Sequence, residues 1–258
     1  MSNTALITGA SSGIGAEFAR YHASKGGDAI IVARRKEPLE ALKKDLEAQH
    51  GVKITVIAQD VGTPEQVKDL YAKIKKQGHK IDVLINNAGF GGHGAFLDRD
   101  LDADLAMVDL NIGALITLSH LVGNDMKTNG GGKMLQVSST ASYMPGPLQA
   151  TYYATKAFVS SFSLAINEEM KGHGITSTAL EPGMVATEFV ETADLGGTGM
   201  ANQKLATPAS VAKIGYDAML AGKRRIINDG SLNFTLNWIF PFVPMSMRLK
   251  MISRMQTK

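Results

Sequence analysis

Tyr152 and Lys156 occupy positions i and i+4, a spacing that brings two side chains together on one face of a helix. A free tyrosine has a pKa of about 10 and exchanges protons poorly at neutral pH, whereas a neighbouring ammonium group lowers that pKa. Tyr152 could then give a proton to a carbonyl oxygen or take one from an alcohol. Ser139, upstream, could hydrogen-bond the same oxygen. These residues predict acid–base chemistry at a carbonyl or alcohol carbon.

Neighbouring residues offer alternatives to this assignment. The Tyr-x-x-x-Lys pattern is weak by itself, because most copies of it are surface residues of helices. Tyr153, Ser138 and Ser142 compete for the same roles. Tyr153 has no lysine four residues later, which favours Tyr152 as the acid–base residue.

A glycine-rich segment follows the first apolar run and could hold a dinucleotide. Gly9 would let the strand turn tightly, Gly13 would let the backbone approach a pyrophosphate, and Gly15 would let a helix pack closely on the sheet. The helix N-terminus would present free N–H groups to the anion. The spacing is GxxxGxG, not GxGxxG, so a plain glycine-rich turn is the alternative. The cofactor-binding residues predicted in this turn are Gly9, Ser11, Ser12, Gly13, Ile14 and Gly15.

The ends of the next strands indicate which nucleotide would bind. An NAD site has an acidic residue after the second strand, but this chain has Arg34 and Arg35 there. Two guanidinium groups can hold a 2′-phosphate, so NADP(H) is the predicted cofactor, with a solvated strand end as the alternative. Asp60 and Val61 are predicted to meet the adenine. Three residues after the fourth strand either shape a turn or contact the cofactor: Asn87, Ala88 and Gly89.

Apolar runs of strand length alternate with helical patterns along the whole chain. The early strands are nearly unbroken apolar runs, as expected for a parallel sheet covered on both faces. The pattern predicts an α/β fold, a single doubly wound parallel sheet of about seven strands with helices on both faces. Predicted strands cover residues 4–8, 29–33, 53–59, 83–86, 133–138, 176–180 and 225–228, and predicted helices cover 13–25, 38–50, 63–77, 101–127, 151–171 and 208–221. This domain is predicted to span residues 1–229 and to include a substrate loop at 182–205, with residues 230–258 as a C-terminal extension.

Composition narrows the classes of protein that this chain can belong to. The net charge is only +3 and the basic residues are scattered until the last dozen, which argues against nucleic-acid binding. The chain has no cysteine, so thiolate catalysis and disulfides are excluded. The six histidines show no metal-binding spacing, and no metal is predicted. The N-terminus lacks a signal-peptide pattern, which predicts a cytoplasmic protein.

Several motifs follow one another in the order of a known family. They are Thr8-Gly9-x3-Gly13-x-Gly15, Asp60, Asn86-Asn87-Ala88-Gly89, Asn111, Ser139, Tyr152-x3-Lys156 and Pro182-Gly183 with Thr187. With them, the chain resembles the short-chain dehydrogenase/reductase family over residues 4–228. The resemblance implies a Rossmann fold, nicotinamide-dependent redox activity and a dimer or tetramer. Basic residues after the second strand mark NADP-preferring members.

The resemblance also implies roles for single residues. Lys156 would bind the nicotinamide ribose as well as lower the pKa of Tyr152. Asn111 would hold a water in a proton relay through Lys156, and Thr187 would lie near the carboxamide. The implied catalytic residues are Asn111, Ser139, Tyr152 and Lys156, and the cofactor-binding residues at the nicotinamide end are Tyr152, Lys156, Pro182, Gly183, Val185 and Thr187.

Three segments are predicted to line the substrate pocket: residues 90–96, 140–150 and 184–205. Their side chains are mostly apolar, which favours a hydrophobic carbonyl or alcohol over a sugar phosphate. His93 is either an ordinary loop histidine or a substrate contact. The predicted apolar lining consists of Phe90, Phe96, Tyr143, Met144, Leu148, Phe189 and Leu195.

The C-terminal extension, residues 230–258, combines an apolar cluster with a basic amphipathic pattern. Met247, Met251 and Met255 repeat every four residues, with Lys250, Arg254 and Lys258 beside them. Three interpretations stay open: packing on the domain or on a subunit partner, a Met-rich cap over the pocket, and contact with an anionic membrane surface. The apolar cluster consists of Phe234, Trp238, Ile239, Phe240, Phe242 and Val243.

Taken together, these patterns predict an NADP(H)-dependent oxidoreductase that passes a hydride between the nicotinamide and a carbonyl or secondary alcohol of a hydrophobic substrate. One alternative is a regulatory protein that senses NADP(H) without turnover, although such a sensor need not keep Tyr152 and Lys156. Another is a membrane-docked scaffold that works through the tail. Epimerisation or dehydration on the same fold is a further alternative.

Overall fold

The computed structural model describes residues 3–199 and 205–257. Within these residues, seven parallel strands form one sheet in the order β3-β2-β1-β4-β5-β6-β7. The predicted doubly wound parallel sheet is therefore confirmed. The strands are β1 (Thr4–Thr8), β2 (Asp28–Ala33), β3 (Ile54–Ala58), β4 (Val83–Asn86), β5 (Gly132–Val137), β6 (Ile175–Leu180) and β7 (Arg225–Ile226). The strand order reverses between β1 and β4, the place where open α/β sheets bind ligands at the carboxyl ends of their strands.

Helices cover both faces of this sheet. The helices are α1 (Gly13–Ser24), α2 (Lys36–His50), α3 (Pro64–Lys76), α4 (Leu101–Val108), α5 (Leu115–Thr128), α6 (Ala150–Met170), α7 (Phe189–Thr192), α8 (Pro208–Leu220), α9 (Gly230–Phe234) and α10 (Met245–Gln256). Residues from α1, α2 and α8 build one buried cluster, and residues from α3 and α5 build the cluster on the other face.

Helix α3 shows how the sequence sets an element. Thr63 accepts a hydrogen bond from the Gln66 backbone while the Gln66 side chain accepts one from the Thr63 backbone, so a capping box starts the helix next to Pro64. Val67, Leu70 and Ile74 follow at helical spacing and are buried against the sheet. Each such side chain contributes about 1.5–3 kcal/mol on burial.

The predicted single helix over residues 101–127 is interrupted. A π-helical turn, Asp109–Ala114, joins α4 to α5. By length and composition the run Leu101–Thr128 could cross a membrane, with 39% of its apolar window buried. Its inner face, with Leu118, Val122 and Met126, is part of the core, which accounts for much of that apolar character.

The C-terminal residues described by the structure fold back onto the domain. A π-helical turn (Thr235–Ile239) and a short 3-10 turn (Phe240–Phe242) connect α9 to α10. Leu236 and Phe240 pack on Ile227, and Ile252 packs against two tyrosines of α6. The tail therefore packs on its own domain, as one of the three interpretations expects. Residues 200–204 of the predicted substrate loop and residue 258 lie outside the described part of the chain.

Candidate active site and cofactor site

The turn after β1 has the backbone geometry that its glycines predict. Gly9 and Gly13 adopt φ values of 67° and 55°, in the left-handed region that favours glycine. A side chain on Gly15 would collide with the carbonyl oxygen of Gly9, so α1 can start this close to the turn only with glycine there. The N-terminus of α1 therefore lies close to the carboxyl end of β1.

Asn87 and Ala88 tie this turn to the end of β4. The Asn87 amide donates to the carbonyl oxygens of Thr8 and Gly9 at 3.0 and 3.3 Å. The backbone N–H groups of Asn87 and Ala88 both donate to the Thr8 hydroxyl at 3.1 Å. Asn87 and Ala88 therefore shape the turn, which is one of the two roles that the sequence left open. Contact of these residues with the cofactor stays a prediction.

Arg35 reaches the turn, and a carboxylate meets it there. Its guanidinium lies 2.9 Å from Glu188 and donates to the Ser11 hydroxyl at 3.3 Å, while Ser12 donates to Glu188 at 2.9 Å. Arg35, and next the Ser12 hydrogen bond, holds the pKa of Glu188 below its ordinary value. Arg34 is exposed and makes none of the hydrogen bonds or ion pairs found among residues 3–199 and 205–257. Of the two predicted arginines, Arg35 is therefore the one that hydrogen-bonds the turn in the described part of the chain.

The other predicted cofactor residues surround the same strand ends. Asp60 accepts a hydrogen bond from the Gly62 backbone at 3.1 Å, and Val61 is buried in the core. Val185 forms an isolated bridge with Ala206, and the Thr187 hydroxyl accepts from the Phe189 backbone at 3.3 Å. A cleft of about 680 Å³ separates the glycine turn from the 186–191 segment, and Ser11, Ser12, Gly13 and Thr187 line it. The contact of Asp60 with adenine stays a prediction.

Pro182 and Gly183 join the catalytic side of the site to the cofactor side. The Pro182 carbonyl oxygen accepts hydrogen bonds from the Thr140 backbone at 3.0 Å and from the Ser139 hydroxyl at 3.4 Å. The Gly183 backbone N–H donates to the Asn228 side chain at 3.1 Å. The end of β6 is thus fastened to the residues that follow β5 and β7.

Ser139, Tyr152 and Lys156 come together at the carboxyl end of β5. Tyr152 and Lys156 are buried on α6, and the Lys156 ammonium donates to the Val137 carbonyl at 2.9 Å. That ammonium lies 5.8 Å from the centre of the Tyr152 ring. The Ser139 side chain lies close enough to the Tyr152 side chain to lower its pKa, as expected of a group that shares in proton transfer.

The direction of the Tyr152 pKa differs from the expectation. Burial raises the pKa of Tyr152, and the hydrogen bond with Ser139 opposes that shift only in part. Burial also lowers the pKa of Lys156 to about 8. Both effects share one cause, because a low-dielectric site disfavours the charged form of each group. In this state Tyr152 is a neutral phenol, ready to give a proton.

Asn111 lies in the π-helical turn and is buried. Its amide donates to the Phe90 carbonyl at 3.0 Å and to the Thr155 hydroxyl at 3.1 Å, and its oxygen accepts from the Phe90 backbone at 3.2 Å. A Cβ on Gly89 would lie 2.9 Å from the Asn111 oxygen and 3.5 Å from the Lys156 nitrogen. Asn111 and Lys156 thus face the same point beside Gly89, where the implied water relay would run.

The competing serine and tyrosine have structural contacts instead. The Ser138 hydroxyl donates to the Lys156 carbonyl at 2.8 Å. The Tyr153 hydroxyl accepts from the Gln256 amide at 3.0 Å, and burial raises the pKa of Tyr153 to about 12. The Ser142 hydroxyl is buried without a hydrogen bond and lines a separate cleft beside α6. The preference for Tyr152 over Tyr153 agrees with this geometry.

The substrate side of Tyr152 is apolar, as predicted, but its composition differs. The Phe189 ring lies 5.3 Å from the Tyr152 ring, and Phe90 and Met144 pack on the same cluster. Phe96 is 64% exposed and lies outside that cluster, so its place in the pocket stays a prediction. Two residues that the sequence did not place here, Met107 and Ile252, belong to the cluster. Met255 packs on it, as the interpretation of the tail as a Met-rich cap expects.

The end of α10 is anchored beside this cluster. Gln256 is fully buried and donates to Gln149 and to Tyr153 at 3.0 Å each. The His93 ring meets the Gln256 carbonyl oxygen at 2.7 Å, so His93 is a loop histidine that holds the tail. The spacing of Met251 and Met255 was the only sequence signal for this contact. The tail therefore packs on the domain and also covers the catalytic cluster.

Comparison with known proteins agrees with this architecture. A family model described as short chain dehydrogenase matches residues 3–196. A very-long-chain 3-oxoacyl-CoA reductase of Anas platyrhynchos is 35% identical over 191 residues, which cover 72% of this chain but only 60% of that relative's length. A serine 3-dehydrogenase of Agrobacterium fabrum is 37% identical over 192 residues, covering 73% of this chain and 74% of the relative.

A solved structure extends the likeness to nearly the whole chain. The short-chain dehydrogenase from Sphingobium yanoikuyae in complex with NADPH superposes with a TM-score of 0.82 at 26% identity, covering 94% of this chain and 96% of that one. The family model covers well over half of the chain, and it includes the glycine turn, Ser139, Tyr152 and Lys156. The chain belongs to the short chain dehydrogenase family.

Proposed function

We propose that this protein is an NADP(H)-dependent oxidoreductase that interconverts a hydrophobic carbonyl compound and its secondary alcohol. The observation that carries the proposal is the meeting of Ser139, Tyr152 and Lys156 at one strand end, beside the glycine turn. The turn fits a pyrophosphate through its left-handed glycines and the N-terminus of α1. Arg35, next to Ser11, can bind a 2′-phosphate when its ion pair with Glu188 opens. The NADPH bound to the Sphingobium relative supports the same cofactor.

The chain's own residues supply the proton chemistry. When bound, the nicotinamide gives or accepts the hydride. Tyr152, kept as a neutral phenol by burial, donates its proton to the substrate oxygen, and Ser139 hydrogen-bonds that oxygen. The Lys156 ammonium stabilises the phenolate left behind. Asn111, which faces Gly89 together with Lys156, would hold the water that returns a proton.

The substrate is proposed to be hydrophobic because the side chains next to Tyr152 are hydrophobic. The cluster that contains Tyr152 is covered by Phe90, Met144, Phe189 and Met255, and methionine side chains adapt to irregular apolar groups. One relative is named for a very-long-chain 3-oxoacyl-CoA and another for serine. Similarity to these proteins therefore favours no single substrate. Within the proposal, the apolar lining favours the long-chain class over the amino acid.

The first experiment is NADPH oxidation against a panel of hydrophobic aldehydes and ketones. We expect Tyr152→Phe to lower kcat about 10³-fold while NADPH binding is kept, because only the proton donor is removed. Tyr153→Phe is the matched control, since its hydroxyl bonds the tail and not Ser139, and it should keep most turnover. Full turnover by Tyr152→Phe would refute the mechanism. Tight NADPH binding without turnover on any substrate would favour the sensor alternative.

The cofactor preference has its own test in the two arginines. Arg35→Ala should weaken NADPH binding by about tenfold to a hundredfold, because a charge-assisted contact to the 2′-phosphate is lost, and should leave NADH binding nearly unchanged. Arg34→Ala is the control, since that side chain is exposed and makes no hydrogen bond or ion pair with the described residues of the turn. Fluorescence titration with both nucleotides measures the difference. Equal losses for NADH and NADPH would contradict a role at the 2′-phosphate.

We also propose that the protein is a homo-oligomer, a dimer or tetramer, in the cytoplasm. Exposed apolar side chains on the run from α4 to α5 support an interface there. Analytical ultracentrifugation tests the assembly, and a monomer at micromolar concentration would exclude it. These side chains are Leu101, Leu105, Val108 and Ile116.

A further inference from the structure

The C-terminal segment leaves large apolar side chains on the surface even though it packs on the domain. Phe234, Trp238 and Phe242 are 57%, 68% and 84% exposed. On α10, Met247 and Met251 are 60% and 43% exposed. A soluble surface rarely gathers so many large apolar groups in one short segment without a partner. We call these five residues, with Lys250 and Arg254, the tail surface.

The orientation of the tail surface is fixed by the residues that face inwards. Leu236 and Phe240 are buried against Ile227, and Ile252 and Gln256 are buried beside the tyrosines of α6. The exposed pairs 234/238 and 247/251 are each spaced at i and i+4, so each pair lies on the outer face of its own helical turn. Folding therefore buries one face of the segment and presents the other to the surroundings.

The charge of the segment differs from that of the rest of the chain. All 24 acidic residues of the protein precede residue 230, whereas the tail carries Arg248, Lys250, Arg254 and Lys258 and no acidic residue. Lys250 and Arg254 are exposed on α10, and neither forms an ion pair within the part of the chain that the structure describes. A surface of tryptophan, phenylalanine and methionine with flanking cations is complementary to anionic lipid headgroups over acyl chains. Subunit interfaces are also enriched in aromatic residues, methionine and arginine but depleted in lysine, so Lys250 and the absence of acidic residues are what favour lipid over a second copy of the chain.

We propose that the tail surface docks the protein peripherally on an anionic lipid bilayer. The apolar side chains enter the boundary between headgroups and acyl chains, and Lys250 and Arg254 contact the phosphates. The inner side of α10 carries Ile252 and Met255, which pack on the catalytic cluster. Docking therefore turns the tail-covered side of the active site towards the lipid. The docking itself does not depend on the proposed reaction, because lipid binding is measured without turnover.

The wild-type protein carries a probe for this contact, because Trp238 is its only tryptophan. We expect co-sedimentation with vesicles of phosphatidylcholine and phosphatidylserine, a blue shift of the Trp238 emission on binding, and release at high salt. Vesicles of phosphatidylcholine alone should bind the protein at least about tenfold more weakly, since the charge attraction is missing. No binding to the anionic vesicles, or an unshifted Trp238 emission on binding, overturns the proposal.

Two pairs of variants separate the apolar and the electrostatic contributions. Trp238→Ser with Phe242→Ser, and Lys250→Glu with Arg254→Glu, should each weaken vesicle binding at least about tenfold. The matched controls are Leu97→Ser with Leu220→Ser, two exposed leucines outside both the tail and the proposed subunit interface, and Lys44→Glu with Lys76→Glu, two exposed lysines outside the tail. Retained NADPH binding shows that each variant folds. Equal binding by a tail variant and its control overturns the proposal. So does a change of oligomeric state in the tail variants alone, which assigns the tail surface to a second copy of the chain.

Discussion

Two walls of the active site are held in different ways. The sheet wall, formed by residues at the ends of β5, β6 and β7 and by α6, is held by buried hydrogen bonds. The tail wall, formed by α10, is held mostly by apolar contacts. On the sheet side, Glu181 is fully buried and accepts hydrogen bonds from Arg225 at 2.8 and 3.1 Å, from Tyr143 at 2.8 Å and from Ser160 at 2.7 Å. The Ser160 hydroxyl also lies 2.8 Å from the Ser138 hydroxyl, and Ser138 donates to the Lys156 carbonyl. A continuous polar chain thus links Glu181 to the backbone of the catalytic lysine.

Among the described residues, the tail makes its polar contacts next to the site through Gln256, whose backbone carbonyl also meets His93 at 2.7 Å. Gln256 donates to Gln149 and to Tyr153, while Ile252 and Met255 contribute apolar surface. The oxygen of the Gln256 side chain is buried without a hydrogen bond. This wall therefore gains less from directional contacts than the sheet wall does.

The different contacts of the two walls suit two different tasks, proton transfer and substrate recognition. Directional hydrogen bonds in a low-dielectric interior fix atoms within a fraction of an ångström, which proton transfer through Tyr152 requires. Methionine and isoleucine side chains adapt their shape at small cost, which suits the recognition of an apolar substrate. We therefore expect changes in the sheet wall to damage stability and turnover, and changes in the tail wall to act mainly on substrate affinity.

The largest effect on stability is expected for Arg225→Leu. The variant leaves the buried Glu181 carboxylate without its cation, and loss of one partner of a buried pair costs about 3–5 kcal/mol. Because the Arg225 side chain is 39% exposed, we expect the low end, about 3 kcal/mol. Urea unfolding monitored by circular dichroism measures the change.

The adjacent residue provides a matched control. Arg224 lies 3.5 Å from Glu168, and both side chains are mostly exposed, so Arg224→Leu should cost less than about 1 kcal/mol. Adding Glu181→Gln to Arg225→Leu should recover part of the loss, because no unpaired charge then remains buried. Similar costs for the two arginine variants would show that the Glu181 chain does not support the sheet wall.

The second prediction uses the buried charge of Lys156. Its pKa in the folded protein is about 8 against an ordinary value of 10.5, so the unfolded chain binds more protons between these two pH values. Lys156 should therefore contribute a rise of about 2–3 kcal/mol in the free energy of unfolding across this window, seen as the difference between the wild type and a variant without the charge. Lys156→Met, which keeps the chain length without the charge, should remove that rise. An unchanged pH dependence in the variant would mean that Lys156 titrates near its ordinary value.

The sequence predicted only part of the sheet wall. Apolar runs and the i, i+4 spacing predicted the strands and the pair of Tyr152 and Lys156, because periodicity reports burial and helix faces directly. The contact between Glu181 and Arg225 had no such signal, since it joins two strand ends that lie far apart in sequence. Only the sheet order, β5-β6-β7, brings those residues together.

The pKa of Tyr152 was predicted in the wrong direction for a related reason. The spacing to Lys156 shows that a cation is near, but not that the site is dry enough for burial to dominate. For the tail, the sequence predicted the helix but not its contacts. Its methionine spacing predicted α10 correctly, but an amphipathic pattern does not tell which surface the apolar face meets. Contact of Ile252 with the catalytic cluster required the folded chain.

The smallest expected effect belongs to the tail anchor, and it tests the division of tasks most directly. Gln256→Leu removes two hydrogen bonds but also an unpaired buried oxygen, so the net cost should be about 1 kcal/mol. If this loosens the tail wall alone, KM for an apolar substrate rises about fivefold while kcat stays within about twofold. Thr257→Val is the control, because its hydroxyl bonds only within α10 and the following turn. A fall in kcat with an unchanged KM would instead place the tail among the parts that position Tyr152.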